Sequence, residues 1–171
     1  MDILAHGLWG GFAIGWKKRF GLAFLFSVAP DVLWSVSTLI EVGVLFIVNS
    51  GDLRGVRFPG LWTDNVYYCT HSLIIIGAIW LVLWFTRRKI AIPFLAWPLH
   101  ILIDILTHGT GRFPTLFLFP LSDYAFDGIR WQQHWFMIAN YTGLLVVALA
   151  WIFYRQKKRK AESTEAGPGS Q

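Results

Sequence analysis

The chain has 171 residues, of which 55% are hydrophobic and 17% aromatic, with ten tryptophans and fourteen phenylalanines. One water-soluble domain of that length lacks the interior to hide so much apolar bulk, so the composition excludes an ordinary soluble globule and fits a chain of several membrane spans. The net charge of +5 does not build a nucleic-acid face, because the basic residues cluster as "KKR" (17–19), "RRK" (87–89) and "RQKKRK" (155–160), between apolar runs and with no aromatics interleaved among them, as in cytoplasmic loops of membrane proteins.

In chain order, "ILAHGLWGGFAIGW" (3–16) is short and glycine-rich and predicts a short N-terminal helix, either a tilted span or a re-entrant one. No basic segment precedes it, unlike a signal peptide. The run 21–50 predicts a long span with a kink or break at Pro30. Runs 70–86, 90–108 and 134–154 each approach the roughly 20 residues that cross a bilayer. The expected fold is all-α, a polytopic transmembrane helix bundle of four long spans plus the N-terminal helix. Residues 1–154 form the membrane domain and 155–171 a basic, disordered cytoplasmic tail. With the C-terminus in the cytoplasm, all three basic clusters fall on one side, and 51–69 and 109–133 on the other. The single cysteine, Cys69, permits no internal disulfide and no cysteine zinc site.

Polar residues sit at membrane depth in these runs. In "LHILIDILTHGTGRFP" (99–114), His100, Asp104 and His108 are four residues apart and share one helix face. Counted at about 1.5 Å per residue from the cytoplasmic ends, His6, Asp31 and His100 lie about 15 Å deep, His71 and Asp104 about 21 Å and His108 about 27 Å. Ionisable groups at such depth are costly and face a protein interior or water. Imidazoles and carboxylates converging from several helices make a ligand set for a divalent metal, zinc or manganese foremost. Six candidates suit two ions, or one ion with a general base and supporting partners, Asp31 or Asp104 being the base. A proton relay would use the same residue types, but neither histidine nor acid lies near the cytoplasmic end of the last span to complete it.

His6, "PD" at 30–31, "THS" at 70–72, and "HILID" at 100–104 followed by Gly109 and a proline-bounded turn at 114–120 resemble the YdjM-type membrane-bound metal-dependent hydrolases, small bacterial and archaeal inner-membrane proteins. The resemblance covers residues 1–123. It implies a metal or catalytic role for His6, Asp31, His71, His100 and Asp104, and an inner-membrane location. Leu33 stands where that family shows a second acid, and Tyr67 and Tyr68 where it shows arginine and glycine. His108 rests on the helix-face argument alone.

In the outer loop, Arg112 and Arg130 are candidates for a substrate phosphate or for headgroup anchoring, and Asp123 and Asp127 for pairing with them. "FPTLFLFP" (113–120) lies in the interface or folds over the bundle. Trp62, Trp131 and Trp135 suit an aromatic belt, with His134 beside them. Asn140 and Thr142 suit interhelical bonds, and Asp64 is a minor candidate for the site. The function expected is hydrolysis of an ester or phosphoester, in a lipid or other membrane-embedded substrate. The alternatives are a non-enzymatic metal-binding or transport protein, and a structural or partner-binding membrane protein.

Overall fold

The computed structural model describes residues 1–16, 19–52, 54, 62–111 and 113–165. Among them are seven helices and no strand: α1 (Ile3–Gly15), α2 (Phe20–Val48), α3 (Thr63–Thr70), α4 (Leu73–Thr86), α5 (Arg88–Phe94), α6 (Ala96–Thr107) and α7 (His134–Glu165). By length and apolar composition, Phe20–Val48, Arg88–Thr107 and His134–Lys158 can each cross a membrane. The expected four long spans therefore become three, with a fourth only if α3 and α4, bent by 57° at their junction, act as one. Of the second expected run, 70–86, residues Leu73–Thr86 form the single helix α4, and its first residues close α3, a helix in the stretch 51–69 expected to be an outer loop.

Local chemistry sets these boundaries. The Asp2 carboxylate accepts from the Ala5 amide at 3.0 Å and caps α1. Ser72 does the same for α4, accepting from the Ile75 amide at 3.2 Å, so "HS" closes one helix and opens the next. Pro98 lies in the first turn of α6, where its missing N–H leaves no bond unmade, and the chain breaks between α5 and α6 at Leu95. Pro30 behaves differently. It lies inside α2 without breaking it, as neighbouring helices permit in membrane spans.

α1 and α2 approach closely. A Cβ on Gly10 would stand 2.4 Å from the Ser27 Cβ, and one on Gly15 would stand 2.5 Å from the Phe20 Cα. Small residues at such a contact allow the backbone proximity that packs helices in lipid. α6 packs on both α1 and α2, while α7 packs chiefly on α1, with the Trp151 ring also meeting Phe20 of α2 at 5.7 Å. The Trp9 indole donates to the Asn140 Oδ1 at 2.8 Å and the Trp151 indole to the Trp16 carbonyl at 2.9 Å, pinning α7 there. Asn140 is therefore a helix-to-helix residue. α7 continues past residue 154 through the basic run to Glu165, so the start of the tail expected to be disordered is helical; residues 166–171 lie outside the described set.

The outer loop folds back over the bundle. The amides of Gly128, Ile129 and Trp131 donate to the carbonyls of His108, Leu106 and Thr107 at 2.8–3.1 Å, satisfying groups that the end of α6 leaves open. Only glycine fits at 128, where a Cβ would stand 2.5 Å from the Leu106 carbonyl oxygen. Leu73 donates its amide to the Phe117 carbonyl at 2.9 Å, and the Ser72 hydroxyl donates to the Phe119 carbonyl. "FPTLFLFP" thus covers the α3–α4 junction. Glu41, 1% exposed, anchors the far end of α3: its carboxylate accepts from the Thr63 amide at 3.1 Å and from the Thr63 hydroxyl. Glu41→Ala is expected to cost about 1–3 kcal/mol of stability, read as an earlier thermal unfolding transition in detergent than that of the parent protein.

Candidate metal centre

Four elements deliver the candidate ligands. α6 supplies His100 and Asp104, one turn apart on its buried face; α1 supplies His6, α2 Asp31 and the α3–α4 junction His71. His6, His71 and His100 are fully buried and Asp104 is 1% exposed. One ligand atom from each of Asp31, His71, His100 and Asp104 lies within 4.8 Å of all the others. This group of aspartates and histidines can hold a metal ion.

The separations fit one. His71 Nε2 and His100 Nε2 are 3.2 Å apart. Asp31 Oδ1 lies 3.5 Å and 3.6 Å from them, and Asp104 Oδ2 lies 3.6 Å and 3.0 Å. A tetrahedral ion with bonds of about 2.0–2.1 Å has ligand-to-ligand edges of about 3.3–3.4 Å, and these five edges scatter about that value.

Protonation points the same way. The His100 Nδ1 stands 2.7 Å from the Ser27 carbonyl, and the His71 Nδ1 stands 3.0 Å from the Tyr67 carbonyl. A carbonyl only accepts, so each Nδ1 carries a proton, which leaves each Nε2 as the nitrogen free to ligate. These two nitrogens face each other with two carboxylates beside them. A cation at that point satisfies all four, and a histidine held by a backbone carbonyl is the usual arrangement behind a metal ligand.

Asp104 faces two ways. While its Oδ2 faces the tetrad, Oδ1 has His6 Nε2 at 2.9 Å, His108 Nδ1 at 3.1 Å and the Met1 α-amino group at 2.9 Å. His108 has left the helix, as the residue that ends α6, yet its ring reaches back as the four-residue spacing predicts. The His6 ring lies against the His100 ring, with centroids 3.8 Å apart; its Nε2 faces the Asp104 carboxylate, and its buried Nδ1 has no hydrogen-bonding partner. A buried ring nitrogen left unpaired is costly.

Beside the cluster lies a cavity of about 540 Å³, whose walls include Asp31, Asp104, His108, Trp34, Tyr67 and Phe113. Trp34 and Tyr67 are the residues the sequence reading missed as part of this region; aromatics are too common in the spans to stand out. Ser27 and Tyr67 act through backbone carbonyls, which no residue type announces. Leu33, at the position of the family's second acid, is 47% exposed and points away from the buried cluster.

The remaining candidates lie elsewhere. Arg112 lies outside the described residues. Arg130 is exposed and lines a separate cavity of about 250 Å³ with His108 and Gly109, so the structure does not bring it to the tetrad. Asp127 accepts from the Thr110 amide at 3.0 Å. His134 is exposed where α7 begins, and Asp64 sits in the first turn of α3, outside the cluster. Compared with protein-family models, with curated proteins and with solved structures, the chain matches none.

Proposed function

We propose that this membrane protein is a metal-dependent hydrolase of the YdjM type, cleaving an ester or phosphoester in a lipid or another membrane-embedded substrate. The observation that carries the reading is the convergence of two imidazole Nε2 atoms and two carboxylates on one buried point. Asp31, His71, His100 and Asp104 would hold one divalent ion, zinc or manganese. Asp104 Oδ1, His6 and His108 offer a place for a second. Such an ion polarises a scissile group and acidifies an attacking water.

The protein's own groups divide the remaining work. Ser27 and Tyr67 fix the imidazole tautomers through their carbonyls. The Asp31 side chain keeps 16% exposure against 2% for Asp104 and borders the cavity, so it is the carboxylate that can take a proton from the attacking water. The apolar Ile3 and Leu4, both exposed, border the same cavity and suit entry from lipid. Orientation follows from the basic residues: the Arg19 guanidinium donates to the Lys89 carbonyl, so two clusters adjoin. With that end in the cytoplasm of a bacterial or archaeal inner membrane, the end carrying Asp2, Ser72 and His108 opens outward.

The test is metal content by mass spectrometry of the protein purified in detergent, paired with turnover of a generic phosphoester and a generic lipid ester. Bound zinc or manganese with turnover supports the reading. Metal uptake into vesicles without turnover replaces it with transport, and metal-free protein in every preparation leaves the polar cluster a packing role.

A further inference from the structure

Two hydrogen-bond donors in the wall of the 540 Å³ cavity have nothing to bond. The Trp34 Nε1 and the Tyr67 hydroxyl are both buried, and neither has a hydrogen-bonding partner. An indole N–H can only donate, so whatever satisfies it must bring an acceptor. Tyr67 is 6% exposed. The Thr115 hydroxyl lies beside it, also buried, and two neighbouring hydroxyls can make one hydrogen bond between them, which still leaves one O–H in need of an acceptor. Native proteins leave few buried donors unpaired; here two share one cavity with Asp31 and Asp104.

Both donors are held rigidly. The Tyr67 ring stacks on His71, with centroids 4.1 Å apart and planes at 24°. The Trp34 ring meets Tyr67 edge-on at 6.0 Å and Phe113 edge-on at 5.4 Å. His71 is at once a member of the metal tetrad, the ring beneath Tyr67 and the donor to its carbonyl. One aromatic stack therefore ties the donors to the cluster. A water molecule occupies only about 30 Å³, far less than this cavity, which leaves room for a larger acceptor.

We propose that the Trp34 indole N–H and the Tyr67 hydroxyl form a neutral donor pair that binds the non-bridging oxygens of a phosphoryl group presented to the Asp31–His71–His100–Asp104 cluster. This rests on the metal-hydrolase reading and narrows its substrate from esters in general to phosphoesters. A phosphoryl group has several non-bridging oxygens and can engage a cation and both donors at once. A carboxylic ester has a single carbonyl oxygen to share among them. Fixed donors aimed at such oxygens stabilise the charge that builds there during displacement.

The test uses the full chain in detergent, loaded with zinc, with calorimetric titration of inorganic phosphate and of dodecyl phosphate. Trp34→Phe and Tyr67→Phe keep the rings and remove the donors. Each is expected to leave the zinc content at the parent value and to weaken phosphate binding about tenfold. Tighter binding of dodecyl phosphate, equally sensitive to both variants, assigns the phosphoryl group to an amphiphile; equal binding of the two probes assigns it to a water-soluble phosphate, and either result keeps the pair. Parent zinc content with phosphate affinity unchanged in both variants overturns the pair and leaves the hydrolase reading standing, as does zinc-loaded parent protein that binds neither probe. Failure to take up zinc or manganese removes the hydrolase reading and the donor pair together.

Discussion

Asp104→Ala is expected to abolish metal binding, whereas His108→Ala should only reduce it. Asp104 touches all four histidines of the site: His71 and His100 through Oδ2, His6 and His108 through Oδ1. Removing it takes a ligand from the tetrad and also the anchor of the second group. Substitutions behind a metal ligand commonly weaken binding by about 10–100-fold, and loss of this shared carboxylate should exceed that range. Asp104 also balances the Met1 ammonium 2.9 Å away, with both groups 2% exposed. Leaving a buried charge unpaired costs about 3–5 kcal/mol, so the alanine variant should unfold earlier as well. Asp104→Asn separates the two effects, because it keeps the volume and one acceptor oxygen while removing the charge. Zinc or manganese content should fall in both variants, while the unfolding transition recovers partly in the asparagine one. His108, half-buried and outside the tetrad, should leave close to one ion per chain when replaced. Full metal content in Asp104→Asn would take the Asp104 carboxylate out of the ligand set and leave Asp31, His71 and His100 to hold the ion.

The ligands were legible because polar residues in apolar runs are conspicuous. His100, Asp104 and His108 stand out by helical spacing, and their shared face follows from helix geometry alone. The spans were less legible. The run 70–86 does hold one apolar helix, α4, but the short α3 before it, which meets it at 57° beside the Ser72 cap, was not foreseen. That turn places His71 against His100, and the cap residue is its only signature. The break at Leu95 was hidden in the same way, because the hydropathy of 90–108 is continuous across it. Pro30 had the opposite effect: it signals a break but lies within an unbroken α2. The cavity-lining pair Trp34 and Tyr67 was invisible because its interest lies in what the side chains fail to bond, which only coordinates reveal.

Gly10→Val tests whether helix packing alone sets the site. Gly10 supplies no ligand, but a Cβ there would stand 2.4 Å from the Ser27 Cβ and 3.2 Å from the Ala96 Cβ. Ser27 is the link to the cluster. Its hydroxyl donates to the His6 carbonyl at 2.7 Å, and its own carbonyl accepts from His100 Nδ1 at 2.7 Å. Forcing α1 away from α2 and α6 therefore disturbs the position of His6 and the tautomer of His100 together. Overpacking of this kind costs about 1–3 kcal/mol, and ligands displaced by about 1 Å no longer close on one ion. The expected result is a melting temperature lower by several degrees together with loss of most bound metal. Gly21→Val, on α2 where an added Cβ meets nothing within 4 Å, should change neither and serves as the matched control for β-branching in a helix. If Gly10→Val melts early but keeps its metal, the cluster holds itself together, and the glycine contact serves stability only. If both variants keep metal and melting temperature, α1 does not pack against α2 at Gly10, and the position of His6 needs another cause.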